Sequence, residues 1–142
     1  MALGGVAVIL SRRSLPMNGT VADGTGIEQG TYLKVADPNT YSASTGTNDV
    51  FGGFAYNEKI ASDGNTKIAV LKGPGDEVRL TASGTITMGC ALQTATPGNY
   101  VKAVTDLSDA NIVGYALEAA TAGETFRAVL LIQNHNAAAV GA

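Results

Sequence analysis

The stretch Gly30-Thr31-Tyr32-Leu33-Lys34-Val35-Ala36-Asp37-Pro38-Asn39-Thr40-Tyr41 is written a second time as Gly89-Cys90-Ala91-Leu92-Gln93-Thr94-Ala95-Thr96-Pro97-Gly98-Asn99-Tyr100. Glycine, leucine, alanine, proline and tyrosine fall in register 59 residues apart. The copy continues beyond it. Asp49-Val50-Phe51-Gly52 answers Asn111-Ile112-Val113-Gly114, Gly53-Phe54-Ala55 answers Gly114-Tyr115-Ala116, and Gly64-Asn65-Thr66-Lys67-Ile68-Ala69-Val70-Leu71 answers Gly123-Glu124-Thr125-Phe126-Arg127-Ala128-Val129-Leu130. The offset drifts in the middle and returns to 59 at the end, as insertions in surface loops would cause. What repeats is scaffold: glycine, proline, small and β-branched residues. No polar constellation repeats.

Short alternating segments punctuated by turn residues accompany the repeat. Strands are expected at 32–36, 50–56, 67–72, 77–81 and 85–88, then at 91–95, 100–104, 112–118 and 125–133. Turn signals such as Asp37-Pro38-Asn39, Asp63-Gly64-Asn65 and Gly73-Pro74-Gly75-Asp76 separate them. Helix is scarce, with one turn expected around Thr105–Asn111 capped by Thr105 or Asp106. The fold class is therefore all-β, a compact barrel or sandwich built from two pseudo-repeats, about 30–72 and 89–131.

With 142 residues the chain is one domain, large enough to bury roughly 68% of its unfolded surface. Three segments are expected: an extended N-terminal arm over 1–29, a single β domain over 30–133, and a flexible tail over 134–142. Glycines scattered through the arm oppose a helix. Its run Val6-Ala7-Val8-Ile9-Leu10 has strand propensity and needs a partner edge, on its own body or on a neighbour. Arg12 and Arg13 are the only charged side chains before Asp23, so a basic arm precedes an acidic body in a chain of net charge −3. That balance lacks the clustered basic face of a nucleic-acid binder. The apolar run is too short to span a bilayer and has no basic residue before it, so neither a membrane span nor a signal peptide is expected.

The candidates for chemistry fail one by one. Cys90 is the sole cysteine and sits among apolar neighbours, which excludes an internal disulfide and a multi-cysteine metal site. His135 stands between two asparagines in the tail with nothing to orient it. The carboxylate groupings Asp76-Glu77, Asp106/Asp109 and Glu118/Glu124 suit turns and caps better than an acid–base pair. Gly24-Thr25-Gly26 lacks the spacing of a phosphate loop. No enzyme activity, cofactor or metal is expected.

The order of leucine, turn, strand, Gly-x-Ala, glycine turn and Ala-Val-Leu is similar to that of the head decoration, or cement, proteins of tailed bacteriophages, including the lambda type. The residues that carry it are Leu33-Lys34-Val35-Ala36-Asp37, Gly53-Phe54-Ala55 and Thr66–Gly73, with Asp76–Gly89 and Asn111–Glu124 fitting the same picture. The resemblance covers about residues 30–132. It implies a homotrimer on the outer surface of the virion, made in the bacterial cytoplasm, that clamps adjacent major capsid protein subunits at three-fold or quasi-three-fold sites. It implies no nucleic-acid and no membrane partner. In such a protein the arm would reach the capsid or a sister subunit through Val6, Val8, Ile9 and Leu10, with Arg12 and Arg13 pairing with carboxylates. Two other readings stand beside it: a tail-tube or fibre-associated structural protein, and a host-surface or carbohydrate-binding module, the latter lacking any tryptophan to stack on sugar.

Overall fold

A computed structural model describes residues 6–96 and 99–134. The expectations for the 135–142 tail, including His135, and for Pro97-Gly98 lie outside the described residues. The protein is all-β, with eleven strands and one short 3-10 turn among the described residues. The strands are β1 (Val8–Ser11), β2 (Met17–Thr20), β3 (Tyr32–Asp37), β4 (Thr40–Ala43), β5 (Phe51–Ala55), β6 (Lys67–Leu71), β7 (Glu77–Thr81), β8 (Ala91–Ala95), β9 (Tyr100–Ala103), β10 (Asn111–Ala116) and β11 (Thr125–Asn134). Asp106 caps the 3-10 turn Leu107–Asp109 through the Ser108 amide, where one helical turn was expected.

The repeat in the sequence is a repeat in space. Strands β2-β4-β3-β5-β6 close into a barrel. In the second sheet, of order β1-β7-β11-β10-β8-β9, the run β7-β11-β10-β8-β9 repeats the barrel's β2-β6-β5-β3-β4, and β1 is an additional edge strand. Tyr32 pairs with Phe54 and Leu33 with Gly53; Ala91 pairs with Tyr115 and Leu92 with Gly114. The parallel contact Thr20↔Thr40 that closes the barrel returns as the parallel bridge Ala82↔Val101. The antiparallel bridge Ile27↔Lys59 returns as Ile86↔Ala120. Gly30 and Gly89 both adopt a left-handed conformation, with φ of 86° and 87°, where the chain turns into β3 and β8.

One register differs from the sequence alignment. Ala55 pairs with Val70, and its counterpart Ala116 pairs with Ala128. The last strands therefore correspond at an offset of 58, with Ile68 answering Phe126, all four residues being buried. An offset of 59 would set exposed Arg127 in the place of Ile68. Side chains alternate across a strand, so a slip of one residue exchanges the faces, and burial decides the register.

Two strands in the first half were not legible. β4 is Thr-Tyr-Ser-Ala and β2 is Met-Asn-Gly-Thr, neither an alternating apolar segment. The expected strand at 85–88 contributes only the Ile86 bridge.

The main core runs through both halves. Tyr32, Phe51 and Phe54 make a set of edge-to-face contacts with ring centroids 5.0–6.4 Å apart, and pack with Val78, Leu80, Leu92, Phe126 and Leu130. Burial drives the Tyr32 phenol well above its ordinary pKa, so it stays neutral within that core. A smaller cluster of Leu33, Tyr41, Ile68 and Val70 fills the first barrel. Polar staples reinforce the junction. Asn48, with φ 61°, accepts from the Asn111 amide (2.7 Å) and donates through its own amide to the Thr94 carbonyl. Asn134 brackets Phe51 with two hydrogen bonds, of 3.1 and 3.0 Å.

Candidate interaction surface

The N-terminal segment is woven into the body. The Ala7 amide donates to the Gly30 carbonyl just before barrel strand β3 (2.8 Å), and one residue later β1 begins pairing with β7 of the six-stranded sheet, Val8 opposite Arg79 and Ile9 opposite Val78. The strand thus spans the junction and forms one edge of the six-stranded sheet.

The sequence-predicted residues divide accordingly. Val6 is half-buried and lines a groove of about 490 Å³ with Tyr56, Gln29 and Glu58. Ile9 packs against the main core. Val8 and Leu10 face outward, 52% and 42% exposed. Arg12 and Arg13 are exposed. The Arg12 guanidinium lies 5.8 Å from the centre of the Tyr56 ring and donates to the Ser14 carbonyl. Neither guanidinium has a carboxylate partner among the described residues.

A second group went unnoticed in the sequence. Leu15, in the bend that follows Arg13, is 76% exposed, and Met17, the first residue of β2, 56%. Behind this turn stands Asp76, a carboxylate with no exposed surface. It accepts hydrogen bonds from the backbone amides of Arg13 and Ser14 and from the Ser14 hydroxyl. Its Gly-Pro-Gly-Asp context suggested a local cap, but the amides it holds are more than 60 residues away along the chain. Arg79 lies between Val8 and Arg127 in the sheet, so all four arginines lie on or beside the β1–β7–β11 edge. Arg127 pairs with Glu77 at 2.5 Å.

The other charged cluster is internal. The Lys59 ammonium, its side chain wholly buried, meets Asp63 (2.7 Å) and Asp23 (2.9 Å) and donates to the Ile60 and Asp23 carbonyls. Burial works against its charge, but hydrogen bonding and attraction from Asp63 and Asp23 outweigh it and hold the ammonium above its ordinary pKa. The hydrogen bond from Lys59 holds Asp63 below the usual carboxylate range. In the second half Ala120 takes the place of Lys59, so this cluster belongs to one copy only.

The carboxylate groupings are engaged with the backbone or with a cation. Glu77 holds Arg127, Asp106 caps Ser108, Glu118 accepts from the Arg127 amide and Glu124 from the Thr121 amide. Among the described residues no three metal-ligating side chains come together. No described helix is long and apolar enough to cross a membrane.

The fold defines an all-β protein of two related units, one closed into a five-stranded barrel and the other a six-stranded sheet. No protein-family profile matches the chain. No curated protein matches it in sequence. Among solved structures it is similar to the head fiber gp8.5 N base of bacteriophage phi29, with a TM-score of 0.54 and 18% identity over 82% of this chain and 93% of that one. At this identity the likeness is one of fold.

Proposed function

We propose that the protein is a structural component of a bacteriophage virion, attached to the head surface as the base of a projecting appendage. The observation that carries this reading is the fold shared with a phage head-fibre base over 82% of this chain and 93% of that one. The repeat of scaffold without any repeat of polar chemistry agrees with it, as does the engagement of the carboxylates by backbone groups. The partner is the major capsid protein, the working form a homotrimer at three-fold or quasi-three-fold positions, and the role structural rather than catalytic. The arm residues Val8, Leu10, Arg12 and Arg13 supply the outward contacts, while Val6 and Ile9 hold the arm to the body. A symmetric trimer multiplies weak contacts into firm attachment.

A fibre-base role and a cement role differ in what they do to the shell. Purified protein is added to undecorated shells, and copies bound per shell and the temperature of shell rupture are both measured. Saturable binding with unchanged rupture supports the base; saturable binding with raised rupture temperature favours the capsid clamp. Absence of binding, with rings or stacks of the free protein, overturns head attachment and moves the protein to the tail.

A further inference from the structure

We propose that the Arg12–Met17 turn is a preformed docking knob, with Leu15 as its anchor, for an apolar depression bordered by carboxylates on a different protein. Exposed leucines are common singly, but this one is held in place. A wholly buried carboxylate is costly unless its oxygens are satisfied, and those of Asp76 are satisfied by the Arg13 and Ser14 amides and the Ser14 hydroxyl. The result is a turn fixed from behind, so that Leu15 is presented without the ordering cost a mobile loop would carry on binding. Met17 and Leu10, in the same segment of chain, are exposed as well.

The charge around the knob selects the partner. Arg12 and Arg13 precede the leucine with no carboxylate partner among the described residues, and arginine and methionine are enriched at interfaces. A second copy is a poor recipient. Eight of the chain's 12 carboxylates are already engaged, Asp23 and Asp63 by Lys59, Glu77 by Arg127, and Asp49, Asp76, Asp106, Glu118 and Glu124 by backbone amides. Nucleic acid is a poor recipient too, since Leu15 and Met17 offer no flat ring to stack on a base. This inference rests on the head-attachment reading only for the identity of the partner, which would then be the shell protein.

The test uses the full chain and two surface variants, Leu15→Asp and Arg13→Glu, neither of which touches the core. The first probe is a synthetic peptide alternating glutamate with leucine, followed by fluorescence anisotropy, with a lysine–leucine peptide and an oligothymidylate as controls. The expected result is saturable binding of the acidic peptide alone, weakened about tenfold or more by either variant, the size of one lost charge-assisted contact for Arg13→Glu and of one lost buried leucine for Leu15→Asp. Equal binding by wild type and variants, binding of the lysine peptide, or no binding overturns the proposal. Binding of the oligothymidylate through the same residues also overturns it, as does self-association that Leu15→Asp abolishes. Undecorated shells are the second probe. Shells bound equally by wild type and variants sink the knob and leave head attachment standing. Shells ignored while the acidic peptide binds sink head attachment and leave the knob.

Discussion

Gly53 and Gly114 occupy the same position in the two halves, each opposite a buried leucine, Leu33 in one case and Leu92 in the other. A Cβ on Gly53 would stand 2.5 Å from the Leu71 carbonyl oxygen, and one on Gly114 would overlap the Val129 carbonyl oxygen. In both halves the neighbouring strand passes too close for any side chain. Gly53→Ala and Gly114→Ala are each expected to destabilise the protein by about 2 kcal/mol or more, since backbone cannot yield as a flexible side chain can. Gly123, with φ 85° and open space around it, should cost only about 1 kcal/mol on conversion to alanine. Urea titration of the three variants measures this. Damage at only one of the two close-approach sites would argue against structural equivalence of the halves.

The halves were legible because a backbone turn that demands a left-handed conformation calls for glycine in both, as Gly30 and Gly89 show. The register of the last strand was not, because Gly64 and Gly123 align at 59 while the strands behind them pair at 58. The candidate surface was half legible. Val8, Leu10, Arg12 and Arg13 stood out as an apolar run with charge beside it. Leu15, Met17 and Arg79 did not, since their exposure or their place on the edge depends on pairing across the fold. Asp76 read as a cap of local amides in its Gly-Pro-Gly-Asp turn, and Lys59 stood out in no pattern. Their partners are non-local, save Asp63 and the Ile60 carbonyl beside Lys59, and no local pattern announces them.

The Lys59 cluster should leave its mark on the pH dependence of stability. A lysine held above its ordinary pKa of 10.5 contributes stability in full below that value and loses it as pH rises through the still higher folded-state pKa. Asp63, held below 3.8, contributes above that value and loses it as pH falls through its lower folded-state pKa. The stability difference between wild type and Lys59→Met should therefore be level across neutral pH and shrink at both extremes. Thermal unfolding of both proteins from acid to alkaline buffer checks it, and a difference that changes steeply around neutrality would contradict the assignment.

Asp76→Asn should cost about 1–2 kcal/mol, because the amide can replace only part of what the carboxylate accepts. The local effect is the sharper readout. Amide hydrogen exchange at Arg13 and Ser14 should accelerate while that of the junction amide of Asn111 stays as in wild type. Unchanged exchange at Arg13 and Ser14 would show that the turn is held by something other than Asp76.

Removal of residues 1–15 separates two expectations. As a sequence, this segment is an arm whose loss should leave the body folded and weaken attachment alone. In the structure it carries β1, which covers one edge of β7, buries Ala7 against Gly30 and packs Ile9 on the main core. It also supplies the amides that satisfy Asp76. Truncation would bare the edge beside Val78 and Leu80 and strand a buried carboxylate, at a cost of roughly 3 kcal/mol or more. The truncated chain is therefore expected to unfold at markedly lower urea concentration, and its loss of partner binding would say little about the knob. A truncated chain as stable as the full one would show that β1 is dispensable, and would return the segment to the role of a free arm.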